Sequence, residues 1–137
     1  MRLFVYGSLK RGYQHADELS GAHFLGAART LDPAWLFQVD DYPALVFPSA
    51  QPGWLATPDP SAGPGYITGE VFEIGEVLLA RLDRFEDVPQ LYQRRIISVA
   101  LEAGDRVLTS ETYVMRAEQV EEFSQRGRVT RLPRRTW

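Results

Sequence analysis

Cysteine is absent from this sequence of 137 residues, and histidine occurs only twice, as His15 and His23. Without cysteine the chain has no disulfide, no thiol nucleophile and no thiolate metal ligand. Two histidines are too few for most zinc sites unless several carboxylates contribute as well. We therefore expect no metal site, and we interpret both histidines as ordinary polar or packing residues.

Long apolar runs and an excess of positive charge are also missing. No stretch approaches the roughly 20 apolar residues of a membrane span, and Gly7 interrupts the short apolar run that an export signal would need. The formal net charge of −3 argues against nucleic acid as the main partner, because phosphate binding needs a basic field. These absences predict a cytoplasmic protein that binds neither nucleic acid nor a membrane. A monomer and a small homo-oligomer both stay open.

The positive charge that is present gathers near the C-terminus, in Arg126, Arg128, Arg131, Arg134 and Arg135. The segment lacks the interleaved aromatic residues of a nucleic-acid platform. We therefore interpret residues 126–137 as a solvated basic tail. An interaction protein that works through this tail is an alternative.

Length and composition predict a single domain over residues 1–137, with a core over about 2–125. Apolar and β-prone runs predict strands over residues 2–6, 23–30, 35–39, 44–47, 66–74, 92–101 and 106–115. Apolar spacing of three and four residues predicts helices over 76–85 and 117–125, the first with a buried stripe of Leu78, Leu82 and Phe85. The prolines of residues 48–65 indicate a surface loop.

The order of these elements predicts the fold class. Strands that follow one another favour hairpins and a mixed, mostly antiparallel sheet, and closure into a barrel would remove the sheet edges. We expect an α+β fold in which two main helices pack against a barrel-like sheet. Gly69, inside a predicted strand, indicates a bulge or a close backbone approach.

Two segments are candidates for chemistry. Tyr6, Gly7, Ser8 and Leu9 follow the first strand in a tight turn, whose backbone amides can form an anion-binding concavity. Ser8 is a poor nucleophile candidate because no Gly-x-Ser-x-Gly elbow surrounds it. Glu86 ends the first helix, where the helix dipole and partial burial would raise the pKa of its carboxyl and fit it for general base and acid work. A structural turn and a surface glutamate are the alternatives.

Three further residues accompany Glu86. Tyr92 and Arg94 share a strand face, so both side chains can point towards a site near Glu86. Tyr113 lies in a later strand, and Arg94 and Tyr113 are candidates to support the site from behind. The alternatives are that both tyrosines pack in the core and that Arg94 is a surface charge.

Taken together, these segments resemble the gamma-glutamylcyclotransferase-like family, in its small single-domain branch, which includes the γ-glutamylamine type. The matching segments keep the family's order over most of the chain: residues 5–12, 24–30, 42–46, 69–74, 82–86, 92–94 and 112–114. The resemblance implies a mixed barrel-like sheet with a cavity at one end. It also implies that Tyr6, Gly7, Ser8 and Leu9 hold the glutamyl group, that Glu86 is catalytic and that Tyr92 lines the pocket.

The resemblance implies an intramolecular acyl transfer on a small γ-glutamyl substrate. Glu86 would take a proton from the α-amine, which attacks its own γ-carbonyl to release 5-oxoproline and a free amine. This reaction requires no organic cofactor. The alternatives are a non-catalytic module that binds a small ligand on the same fold, and an accessory enzyme that removes a γ-glutamyl protecting group in a biosynthetic pathway.

Overall fold

The structure, a computed structural model, describes residues 1–47 and 65–131. Within these residues it contains eight β-strands, two α-helices and a short 3-10 helix, Ala16–Leu19. The strands are β1 (Arg2–Val5), β2 (His23–Thr30), β3 (Trp35–Val39), β4 (Tyr42–Val46), β5 (Thr68–Glu73), β6 (Gln93–Leu101), β7 (Val107–Val114) and β8 (Val129–Arg131). The helices are α1 (Glu76–Phe85) and α2 (Ala117–Gln125). The proline-rich loop predicted over residues 48–65 lies outside the described residues, apart from Gly65.

Five strands form a closed barrel in the order β1-β5-β2-β6-β7. The neighbouring pairs are antiparallel except β1 and β7, which run parallel and close the barrel. The buried Thr112 hydroxyl donates to the Phe4 carbonyl oxygen at 2.9 Å across this seam. The mixed, mostly antiparallel barrel with two helices confirms the predicted α+β fold.

A second sheet of three strands has the order β4-β3-β8 and is antiparallel throughout. Its third strand corrects the interpretation of residues 126–137 as a solvated tail, because β8 pairs with β3 through Phe37, Gln38 and Val39. Arg128 also forms an ion pair with Asp40. Residues 126–131 therefore belong to the folded domain, and residues 132–137 lie outside the described part.

The β3–β4 hairpin is tighter than the sequence predicts. The strands predicted over residues 35–39 and 44–47 leave four residues between them, but the turn consists of Asp40 and Asp41 alone, since Tyr42 already pairs with Val39 and Pro43 with Gln38. Asp40 has a positive φ of 54°, a conformation that aspartate tolerates in turns. Pro43 fits β4 because β4 is an edge strand, where a residue without an N–H is tolerated.

Helix α1 has the predicted bounds but buries a different stripe. Leu79 and Leu82 are its buried residues, Leu78 is half-buried, and Phe85 is 40% exposed. The expectation that Phe85 completes the buried stripe is therefore wrong.

Helix α2 has the predicted bounds and buries Val120. No helix in residues 1–47 and 65–131 has the length and apolar character needed to cross a membrane.

Candidate active site

The turn that follows β1 forms one wall of a cavity. The Lys10 amide donates to the Gly7 carbonyl at 3.1 Å, and the His15 amide donates to the Ser8 carbonyl at 2.8 Å. Gly7 is needed here for space rather than for an unusual φ, since a Cβ at this position would collide with the Pro43 ring. The amides of Ser8 and Leu9 donate no hydrogen bond to any residue in the described part of the chain. They are therefore available to a ligand.

Glu86 occupies the C-terminal end of α1, where its amide donates to the Leu82 carbonyl at 2.8 Å. Its carboxyl is partly buried and, among the described residues, makes neither a hydrogen bond nor an ion pair. Burial raises the pKa of this carboxyl from its ordinary value of 4.5 to about 7. A carboxyl with this pKa can exchange a proton in either direction near neutral pH.

Three tyrosines line the same cavity as Glu86, and each donates its hydroxyl proton to another protein group. Tyr6 donates to the Tyr113 carbonyl oxygen at 2.6 Å, and Tyr92 donates to the Pro43 carbonyl oxygen. Tyr113 donates to Oδ1 of Asp83 at 2.8 Å. Burial raises the pKa of all three phenols, and the nearby charge of Glu86 raises each further. All three therefore stay protonated at neutral pH.

These groups line one cavity of about 230 Å³. The cavity brings together all but one of the candidate residues predicted from the sequence: Tyr6, Gly7, Ser8, Leu9, Glu86, Tyr92 and Tyr113. Arg94 lies outside the lining. Its Nε is 3.0 Å from Oδ1 of Asp83 and its Nη1 is 2.9 Å from Oε2 of Glu111. The Arg94 guanidinium therefore reaches the Tyr113 hydroxyl through Asp83, and the Arg94 backbone pairs with Tyr113 in the β6–β7 ladder.

Several lining residues were not predicted from the sequence: Gln14, His15, Asp41, Tyr42, Phe85 and Leu91. The interpretation of His15 as an ordinary residue misses its place in the cavity, where its ring meets Phe85 edge-to-face with 5.2 Å between centroids. His23, by contrast, is exposed in β2. No local pattern marks His15, because its position depends on the turn that ties it to Ser8.

Hydrogen-bond donors and a proton acceptor lie on different walls of the cavity. Free backbone amides of Ser8 and Leu9 offer donors on one wall, and the unpaired Glu86 carboxyl offers a proton acceptor on another. Such a pair of walls can hold an anionic group and move a proton at a neighbouring atom. In the described residues, no three side chains of the metal-binding types are grouped to hold a metal ion.

Fold and site together define a small β-barrel protein with a cavity that contains a partly buried, unpaired carboxyl. The sequence model of the family described as "Gamma-glutamyl cyclotransferase, AIG2-like" matches residues 3–137. The chain belongs to this family.

Individual relatives agree with the family model. The gamma-glutamylaminecyclotransferase of Bos taurus is 40% identical over 107 residues, which cover 73% of this chain and 56% of the bovine protein. The human protein of the same name is 38% identical over 104 residues, which cover 72% of this chain and 61% of that protein. The chain thus aligns with 56 to 62% of the length of the mammalian relatives that it matches first.

A solved structure agrees as well. The crystal structure of an AIG2-like protein from Mus musculus superposes with a TM-score of 0.62 at 30% sequence identity. The superposition covers 83% of this chain and 76% of the mouse chain. The barrel and its helices are therefore the fold of this family.

Proposed function

We propose that this protein is a gamma-glutamylcyclotransferase of the γ-glutamylamine type, which converts a γ-glutamyl amine into 5-oxoproline and the free amine. One observation carries the proposal: the unpaired carboxyl of Glu86, with a pKa of about 7, lies in the same cavity as the free amides of Ser8 and Leu9. The names of the bovine and human relatives support the reaction class.

The proposed mechanism begins with the substrate's α-amine. The Glu86 carboxylate accepts a proton from the α-ammonium group, and the neutral amine attacks its own γ-carbonyl carbon. The new C–N bond closes a five-membered ring, and the turn amides stabilise the negative charge that develops on the carbonyl oxygen. Glu86 then returns this proton to the departing nitrogen as the old C–N bond breaks. The second proton, which the ring nitrogen must lose to become the amide nitrogen of 5-oxoproline, passes to the released amine, which leaves as an ammonium. Attack within one molecule gains rate from proximity, provided that the cavity holds the folded conformer.

The test is a screen of γ-glutamyl amines, γ-glutamyl dipeptides and γ-glutamyl-ε-lysine for 5-oxoproline release, measured by mass spectrometry. Glu86→Gln keeps the size of the side chain and removes the base, and we expect it to lower kcat at least about 100-fold, because general acid–base catalysis contributes about 10²–10⁴-fold. Glu76→Gln is the matched control, since Glu76 begins the same helix and lies outside the cavity lining.

Two outcomes would contradict the proposal. Equal turnover by wild type and Glu86→Gln would show that Glu86 is not the base. Ligand binding without 5-oxoproline release from any compound would instead support a non-catalytic binding module. Release from one biosynthetic intermediate alone would support the accessory enzyme.

A cytoplasmic location and a monomer or small homo-oligomer remain predictions.

A further inference from the structure

Asp83 joins helix α1 to two strands of the barrel. Its Oδ1 atom accepts a hydrogen bond from the Tyr113 hydroxyl at 2.8 Å and lies 3.0 Å from Nε of Arg94. Tyr113 belongs to β7 and Arg94 to β6, where the two residues are paired across the ladder. Within residues 1–47 and 65–131, no other side chain of α1 forms a hydrogen bond or an ion pair with a strand. The polar attachment of this helix to the barrel therefore depends on one carboxylate.

Glu86 lies close to this attachment along the chain. It follows Asp83 within one helical turn, so the two residues occupy neighbouring positions at the end of α1. The Glu86 amide donates to the Leu82 carbonyl oxygen at 2.8 Å, and the Val88 amide donates to the Asp83 carbonyl oxygen at 2.9 Å. Because these backbone bonds enclose Glu86, a movement of Asp83 moves Glu86 as well.

Tyr113 extends the link to the turn after β1. Its hydroxyl donates to Asp83, and its backbone carbonyl oxygen accepts from the Tyr6 hydroxyl at 2.6 Å. Tyr6, Glu86 and Tyr113 line the same cavity, whereas Asp83 lies outside the lining. Two hydrogen bonds in series therefore connect the end of α1, which carries Glu86, with the turn that offers the free backbone amides.

Arg94 provides a comparison within the structure, because two carboxylates pair with it. Its Nε is 3.0 Å from Oδ1 of Asp83, and its Nη1 is 2.9 Å from Oε2 of Glu111. Both carboxylates are partly exposed, with 23% and 21% of the side-chain surface accessible. Of the two, Asp83 alone accepts the hydroxyl of a residue that lines the cavity. The ion pair is common to both residues, and the link to the cavity wall is specific to Asp83.

We propose that Asp83 is a positioning residue, which holds Tyr113 and thereby fixes the Glu86 carboxyl relative to the turn after β1. The inference rests on the proposed function for the role of Glu86 as the base. Asp83 itself transfers no proton and contacts no substrate. Its effect on the rate comes from orientation, because a displacement of about 1 Å in a reacting group can cost about 100-fold.

The first test measures kcat and KM in three variants. Asp83→Ala removes both contacts while keeping a good helix former, and we expect kcat to fall about 10-fold to 100-fold, with KM changed less than about threefold. Asp83→Asn keeps an oxygen that can accept from Tyr113, and it should restore kcat to within about fivefold of wild type. Glu111→Ala is the matched control, since it removes the other carboxylate on Arg94, and its kcat should stay within about twofold of wild type.

The second test needs no turnover, because it follows the Glu86 carboxyl by NMR titration. Burial raises the pKa of Glu86 from 4.5 to about 7, so this pKa reports whether the carboxyl stays in the cavity. We expect the pKa of Glu86 to fall towards 4.5 in Asp83→Ala and to stay higher in Asp83→Asn. Both variants lose the same negative charge, so a difference between them reflects position. A mere loss of stability would lower the folded fraction without changing this pKa.

The other titratable groups that line the cavity are the same in these variants: Tyr6, His15, Asp41, Tyr42, Tyr92 and Tyr113. Tyr113→Phe is the second route to the same result, since it removes the hydroxyl that Asp83 accepts and leaves the Asp83–Arg94 pair in place. We expect it to lower the pKa of Glu86 as Asp83→Ala does. Thermal melting verifies that each variant is folded.

Three results would overturn the inference. They are a wild-type pKa of Glu86 in Asp83→Ala and Tyr113→Phe, an equal loss of kcat in Asp83→Ala and Glu111→Ala, and an Asp83→Asn variant as slow as Asp83→Ala. The proposed function fails separately. A wild type that releases no 5-oxoproline would contradict the function, while a pKa of Glu86 that falls in Asp83→Ala but not in Asp83→Asn would still support the positioning.

Discussion

Glu86 shows how the position of one residue sets its chemistry. It follows the last residue of α1 and lies beside the buried tyrosines, so its charged form loses water without gaining a partner in the described residues. The three nearby hydroxyls cannot compensate, because their protons go elsewhere. The cavity thus keeps a carboxyl that is ready to accept a proton near neutral pH.

The same burial predicts a pH-dependent cost in stability. The carboxyl has a folded pKa of about 7 against an ordinary 4.5, so the folded state holds the proton more tightly than the unfolded chain. The stability linked to this proton is fully present below pH 4.5 and is lost as the pH rises through about 7. The loss corresponds to about 3 kcal/mol at most.

Urea unfolding of wild type and Glu86→Gln at several pH values measures this cost. Glutamine does not titrate, so we expect the variant to gain stability over wild type as the pH increases from 4.5 to 8. Glu76→Gln, at an exposed position, should show no such trend. A constant difference between wild type and Glu86→Gln across this range would contradict the raised pKa.

At the scale of elements, the residue that leads into β8 supports the cavity wall. Arg128 contacts both carboxylate oxygens of Asp40, with Nε at 2.9 Å from Oδ2 and 3.2 Å from Oδ1, and the Asp40 amide donates to the Arg128 carbonyl at 2.9 Å. The hydrogen bond to Arg128 lowers the pKa of Asp40. The next residues along the chain, Asp41, Tyr42 and Pro43, line the cavity. Arg128, the residue before β8, therefore helps to fix the part of the cavity wall that these three residues form.

Arg128→Ala tests this support. Loss of the two Arg128–Asp40 contacts should loosen the β3–β4 hairpin, which carries part of the cavity wall. We therefore expect KM for the γ-glutamyl amine found in the screen to rise about threefold to tenfold, with little change in kcat. Arg126→Ala is the matched control, because Arg126 forms an exposed ion pair with Glu122 at 2.9 Å, both members of which lie outside the cavity lining. Equal KM values for the two variants would show that the Arg128–Asp40 contact does not position this part of the cavity wall.

At the scale of the whole molecule, barrel closure assembles the site. The turn after β1, the segment from the end of α1 to the residue before β6, and the end of β7 are far apart in sequence and meet at one cavity. Gly69 allows β5 to approach β1 closely, since a Cβ there would collide with the Val5 carbonyl oxygen and press on the Phe4 ring. The close approach predicted for Gly69 from the sequence is confirmed.

Gly69→Ala is expected to destabilise the fold by about 2–3 kcal/mol or more, because a backbone oxygen cannot move aside as a flexible side chain does. The free energy of unfolding in urea measures the effect. Gly75→Ala is the control, since its added methyl meets open space at the start of α1, and it should cost about 1 kcal/mol or less. Equal stabilities of the two variants would contradict the close approach.

Local pattern in the sequence was sufficient for most elements. The bounds of β2, β3, α1 and α2 are those predicted, because alternation and helical spacing are properties of neighbouring residues. A helix end and a glycine turn made Glu86 and the Tyr6–Leu9 turn candidates, but these local signals left a surface glutamate and a structural turn open. The resemblance to the family favoured the functional interpretation of both.

Only the tertiary structure decided the rest. It paired β8 with β3, packed Pro43 against Gly7, brought His15 and Phe85 to the cavity, and directed the tyrosine protons away from Glu86. Each of these depends on a contact between residues distant in sequence, for which the chain carries no local signal. The sequence thus determined which groups were present, and barrel closure decided which of them face one another.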